Sequence, residues 1–171
     1  MAEGATRGEG TKLVCHNCGA EYTLTELGYL ASEDPKFTHI PDWYRWERQE
    51  VRRELEEGTY KLDIDVEIAV MVNYNAIYRI GEGHLTHTVE GFRLTGCDGK
   101  LDYSQGPLTC YSLYADYYWY EIADTICIGN NDVLYYCFPK GGDVVAKTRM
   151  ATEEMYKLYK SRKLKAPTET A

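Results

Sequence analysis

The sequence predicts a mainly β fold with two helices, an α+β chain built on antiparallel strands. Three observations predict it. Tyr103 to Phe138 is crowded with aromatic and β-branched residues, the types that suit a pleated, half-buried surface. Leu62, Ile64, Val66, Ile68, Val70 and Val72 fall at every second position, with Lys61, Asp63, Asp65 and Glu67 between them, which is a strand with one wet face. Two further stretches, one from Pro41 and one from Thr152, carry apolar residues at helical spacing.

The totals bound the function classes. A chain of 171 residues buries roughly 70% of its unfolded surface and needs no disulfides. A net charge of −8 argues against nucleic acid, which is bound through clustered Lys and Arg. No apolar run is long enough to span a bilayer. MAEGATRGEG at the start lacks the apolar segment of a signal peptide. The expectation is a cytoplasmic protein whose six cysteines are free thiols or metal ligands.

In chain order, residues 1–12 are rich in Gly, Ala and charge and read as flexible. Cys15-His16-Asn17-Cys18-Gly19 follows, then Glu21–Leu24 alternating as a strand. Residues 31–38 read as a linker broken at Asp34-Pro35. Pro41 suits the first helical position, and Tyr44, Arg48, Val51 and Leu55 mark the stripe of an amphipathic helix, flanked by Trp43 and Trp46 and ended by Gly58. Ala69 and Met71 make the second half of the alternating strand apolar on both faces, so that half is expected to sit deeper. Residues 73–80 are ambiguous between helix and loop, and Gly81-Glu82-Gly83 reads as a turn.

Short strands are predicted at His84–Val89, Phe92–Thr95 and Lys100–Tyr103. Turns are predicted at Gln105–Pro107, Ala115-Asp116 and Gly129–Asp132. The last joins Thr125–Ile128 to Val133–Phe138 as a hairpin that places Ile126 opposite Tyr135, so Cys127 and Cys137 are not opposed. A strand at Asp143–Lys147 and a helix capped by Thr152 close the chain, with Ala151, Met155, Leu158 and Tyr159 as its stripe and Lys157, Lys160, Arg162 and Lys163 towards its end. About seven strands and a C-terminal helix resemble a pleckstrin-homology-like domain, an antiparallel, partly open barrel closed by that helix. It is preceded by a zinc-knuckle hairpin and the amphipathic helix. The expected division is a half zinc ribbon at 1–30, linker and helix at 31–58, β-domain at 59–165 and a disordered tail at 166–171.

Cys15 and Cys18 are the sharpest chemical signal. Their spacing puts two thiolates on one turn, half of a tetrahedral zinc site. A redox pair is the rival, but that type opens a helix, whereas here a strand follows. Cys97, Cys110, Cys127 and Cys137 lie in or beside strands and read as buried structural thiols. His84 and His87, three apart on a strand, point to opposite faces and share no ion, and His16 and His39 read as surface residues. The Asp63, Asp65 and Glu67 row reads as a solvated face. Tyr117 to Tyr120 alternates across its sheet, so only half of that run can line any one surface; core packing is expected, and an exposed half would mark a partner site. No P-loop, GxGxxG, HExxH or GxSxG occurs.

Read together, CHNCGAEYTLTELGYL, HIPDWYRWERQEVRRELEEGTY, GEGHLTHTVEGFRLTG, DYYWYEIADTICIG and CFPKGGDVVAKTRMATEEMYKLYK resemble the C-terminal region of bacterial proteins classed as 1-acyl-sn-glycerol-3-phosphate acyltransferases, from about Gly8 to Lys163. The resemblance implies a tail behind a membrane-associated acyltransferase domain: a zinc ribbon, then a β-domain. Cys15 and Cys18 would be the second half of that ribbon, with zinc completed by a CxxC upstream or from a second chain. The family's HxxxxD motif has no counterpart here, since the residues five after His16, His39, His84 and His87 are Glu21, Tyr44, Val89 and Phe92. The expectation is a fragment, or a frame opened at an internal Met, with no catalytic residue of its own. The implied function is a non-catalytic docking or regulatory module in phospholipid biosynthesis. Its expected partners are its own acyltransferase domain, another protein or a lipid headgroup, at the inner membrane face. The alternative is a stand-alone zinc-knuckle module that binds protein.

Overall fold

The computed structural model describes residues 4–33, 35–73, 76–119 and 121–161, without the side chains of Val72 and Asn73. The expected tail at 166–171, Arg162 and Lys163, Asp34 and Tyr120 lie outside these residues. Two compact units divide the chain, residues 1–50 and 51–171.

The first unit holds a four-stranded antiparallel sheet in chain order: β1 (Thr6–Glu9), β2 (Lys12–Cys15), β3 (Glu21–Leu24) and β4 (Leu30–Ala31). Its core is aromatic. Tyr22, Leu30 and Phe37 are buried, with Trp43 and Trp46 packed against them. Phe37 stacks on Trp43 at 5.3 Å between centroids, and the Lys36 ammonium lies 3.9 Å over the Trp46 ring, a cation–π contact. Phe37, expected in a linker, is therefore a core residue. Trp43 and Trp46 sit on helix α1 (Ile40–Glu57). Tyr44, expected on the buried stripe, is instead exposed, its hydroxyl accepting from Arg48 at 2.8 Å. The larger indoles take the core side of that turn because burying them removes more apolar area from water.

The second unit contains one seven-stranded antiparallel sheet and α2 (Val145–Lys160). Its strands are β5 (Leu62–Asn73), β6 (Ala76–Thr88), β7 (Gly91–Gly96), β8 (Leu101–Gln105), β9 (Tyr114–Trp119), β10 (Ala123–Gly129) and β11 (Leu134–Pro139). The spatial order is β8-β7-β6-β5-β11-β10-β9. A four-stranded meander thus meets a three-stranded one where β5 pairs with β11. The mainly antiparallel β character and the two helices are as predicted, but the sheet is not closed. Consecutive strands β8 and β9 stand at opposite edges.

Alternation along β5 works as expected at first. Leu62, Val66 and Ile68 enter a core with Leu85, Phe92, Leu94, Leu113, Ile126, Ile128, Cys137 and Val145 of α2. At Ile68/Ala69 the pairing slips: Gly81 faces Ile68 and Arg79 faces Ala69, leaving Ile80 as the extra residue of a bulge. Ala69 then joins Trp119, Cys127, Tyr136 and Phe138 on the other face. Met71 is exposed rather than deeper.

Residues 76–80, ambiguous from sequence, belong to β6, as do Gly81 to Gly83, read as a turn. The reason for glycine at position 83 is space. A Cβ there would stand 2.3 Å from the Thr95 carbonyl and 2.6 Å from Ile68 Cδ1, a close crossing that reads locally as a turn signal. Ala115-Asp116 also lies inside a strand, β9. In the β10–β11 hairpin Ile128, not Ile126, faces Tyr135, and Ile126 faces Cys137. The turn is one residue further on, because Asn130 Oδ1 accepts from the amides of Asp132 and Val133 and so draws Val133 into it. Cys127 faces Tyr136, so the two cysteines are not opposed.

Helix α2 begins seven residues before the expected cap. Val144-Val145 reads as strand, yet Val145 is the first helical residue, and Thr152 is buried mid-helix. The hydroxyls of Thr148 and Thr152 donate to the carbonyls of Val144 and Thr148, at 2.7 and 2.9 Å, which satisfies them without a cap. The predicted stripe of Ala151, Met155, Leu158 and Tyr159 packs with Val51, Leu55 and Tyr60.

Candidate functional site

Three places gather chemistry. In the first unit, β2 ends at Cys15 and a tight turn returns the chain to β3. The Gly19 amide donates to the Cys15 carbonyl at 2.8 Å, and the Cys15 amide to the Ala20 carbonyl at 2.9 Å. Cys15 is buried and Cys18 exposed. The His16 amide donates to the Ala5 carbonyl at 2.8 Å, so the chain leading into β1 runs beside the turn. Two soft sulfur donors on one turn fit half of a zinc site. Among the described residues, no group of three or more His, Cys, Asp and Glu is arranged to hold a metal ion. Zinc here would be held by Cys15 and Cys18 plus further donors outside this described turn.

The other four cysteines lie in the second unit. Burial pushes the Cys127 thiol up to about 12 and the Cys137 thiol up further, so both stay protonated and are poor nucleophiles and ligands. Cys110 is also raised by burial; Cys97 is half-buried.

His84 and His87 point to opposite faces of β6, as the spacing predicts. His84 lies on the wet face, its two ring nitrogens against Asp65 and Asp63, with Lys61 also on Asp63. The Asp65 hydrogen bond raises its affinity for a proton against partial desolvation. Two carboxylates on the two ring nitrogens favour the doubly protonated imidazolium, in which both nitrogens donate. His87 is the reverse case. It is 1% exposed, stacked on Phe92 at 3.7 Å and bonded through Nδ1 to the Tyr60 hydroxyl at 3.0 Å. Burial lowers it to about 3, so it is neutral and structural.

The third place is the β9 edge. Trp119 is buried, stacked on Tyr136 at 4.6 Å. Tyr114, Tyr117 and Tyr118 are 55, 50 and 67% exposed, with Tyr111 and Ile122 exposed nearby. Tyr118 sits in the left-handed region at φ 53°, and its amide donates to Asp124 Oδ1 at 2.8 Å. Packing thus takes Trp119 from the aromatic run and leaves Tyr117 and Tyr118 outside. Among the described residues of that run, the expectation of core packing holds for Trp119 only. One signal in the sequence marks this surface: between Lys100 and Lys140 there is no Lys or Arg, while Asp102, Asp116, Glu121, Asp124 and Asp132 all occur.

No protein-family model matches the chain, and no curated protein matches it. No helix among the described residues is long and apolar enough to cross a membrane.

Proposed function

We propose that the chain is a non-catalytic docking module, accessory to a phospholipid-synthesising 1-acyl-sn-glycerol-3-phosphate acyltransferase, and that β9 carries the docking surface. One observation carries the docking reading: three half- to two-thirds-exposed tyrosines gathered on one edge strand of the sheet. Tyrosine is enriched at protein interfaces because its ring supplies area and its hydroxyl a hydrogen bond. The acyltransferase assignment is supported by the sequence resemblance. A pleckstrin-homology-like reading of the second unit is supported by its strand order, a four-stranded and a three-stranded meander joined first strand to last, followed by a helix. Cys15 and Cys18 contribute two zinc ligands in this reading.

The test is capture of the acyltransferase domain of the source organism by the immobilised full chain. Wild type binds, and the Tyr114→Ser, Tyr117→Ser, Tyr118→Ser triple variant loses about tenfold or more in affinity, the equivalent of one 1.4 kcal/mol step. No capture by wild type, or equal capture by the triple variant, overturns the proposal. A stand-alone protein-binding module is the second reading, favoured by one observation: the aromatic core of the first unit, with Tyr22, Leu30 and Phe37 buried, is assembled from this chain's own side chains.

A further inference from the structure

The docking proposal leaves open what lies on β9. Resting on it, we propose that β9 is completed by an extended segment of a partner protein bearing Lys or Arg at alternate positions, laid along the outer edge as an eighth strand.

An edge strand is a template for backbone pairing unless Lys, Pro or a covering element blunts it. β9 reads YADYYW, without Lys or Pro, and among the described strands it pairs with β10 alone; the Tyr117 and Tyr118 amides donate to Asp116 and Asp124 Oδ1, so the stretch open to pairing is its regular first half, Tyr114–Asp116. Backbone pairing supplies affinity in strand addition, and alternate side chains supply specificity.

Charge selects the occupant. Asp116 lies within β9, Asp124 in β10 and Glu121 in the turn between them, with no cation in the sequence from 101 to 139. Two cations of α2 are engaged, Arg149 with Glu153 at 3.5 Å and Lys157 with Glu154 at 2.7 Å. At the opposite edge, Arg93 grips Asp102 of β8 with two bonds of 3.2 and 3.0 Å, so that edge is neutralised, whereas among the described residues no ion pair forms on Asp116, Glu121 or Asp124. A second copy of this chain is disfavoured, because it would bring Asp116 and Glu121 of both copies to one seam with no Lys or Arg between 101 and 139 to pair them.

Register sets the pattern. Tyr114 faces Cys127 and Asp116 faces Thr125, while Ala115 between them faces Ile126 of the core. Side chains on a strand alternate faces. Every second residue of the added strand therefore stands beside Tyr114 and Asp116, where a cation meets both a carboxylate and an aromatic ring.

The probe is a fluorescein-labelled ten-residue peptide of alternating Lys and Val, titrated into the full chain by anisotropy. Saturable binding is expected, lost about tenfold or more when alternate backbone amides of the peptide are N-methylated, and by a similar factor in Asp116→Lys. Hydrogen exchange should slow in Tyr114–Asp116 on binding. Equal binding of the N-methylated peptide overturns the proposal, since charge alone would then suffice, and so does absence of binding. A dimer of the chain that Asp116→Lys dissolves overturns it in favour of a second copy. If Asp116→Lys does not fold, the N-methylated peptide on the wild-type chain decides. Should the peptide fail while the tyrosine triple variant still loses acyltransferase capture, strand addition falls and the docking surface stands.

Discussion

Three residues apart on one strand, His84 and His87 show how far surroundings set the chemistry of a side chain. For His87, folding depresses the pKa from the usual 6.5 to about 3, so between those values the unfolded chain binds the extra proton. Stability therefore falls as pH drops from 6.5 towards 3, by up to about 1.4 kcal/mol per unit from this group. Denaturant titrations across that window should show the slope, and His87→Gln should flatten it. His84 has the opposite sign: its proton is held above the usual value, so its stabilising contribution is complete below the unfolded pKa and fades as pH rises through the folded one. An NMR titration should place its midpoint above that of an ordinary histidine, and Asp65→Asn should bring it down. The opposite facing of the two rings was legible from period two alone. The carboxylate clamp was not, because Asp65 and Asp63 reach His84 across a pairing that lies nineteen and twenty-one residues apart in sequence.

Among the elements, those with a strong period were the readable ones. β5 and the second half of α2 announce themselves by spacing. The beginning of α2 does not, because β-branched Val144 and Val145 prefer strands, and the burial of Val145 in the sheet core overrides that preference. Gly83 of β6 misled for a related reason: it stands where β6 closely approaches β7, which only the sheet reveals. Helix α2 contributes through its buried stripe. Met155 and Leu158 are fully buried, so Met155→Ala should cost about 2–5 kcal/mol in urea unfolding, whereas the exposed Lys160→Ala should stay within about 0.5 kcal/mol. Equal costs would mean that the helix is only draped on the sheet.

For the whole molecule, composition showed its class and the sequence resemblance suggested its setting. The docking edge was only half legible. Aromatic density in Tyr103–Phe138 was plain, but which rings stay outside depends on β9 being an edge strand, a fact of topology. The thiol turn was legible in full at the level of spacing, since four residues suffice to define it. With Cys15 and Cys18 as a two-donor set, zinc titration of the full chain should give substoichiometric or dimer-bridging binding, read by metal analysis and sedimentation together. Tight one-to-one binding to a monomer would show that further donors come from this chain.

The bulge at Ile80 has a genetic corollary. Gly81 faces Ile68 and Arg79 faces Ala69 with Ile80 between them unpaired, so β6 carries one residue more than its ladder uses. Loss of that single codon would leave every other pairing and facing in place and remove only the local bend. The same loss at Leu85 or Leu94, where the ladder is regular, would turn each residue beyond it to the wrong face. In the reading frame of the sheet, position 80 is the spare letter.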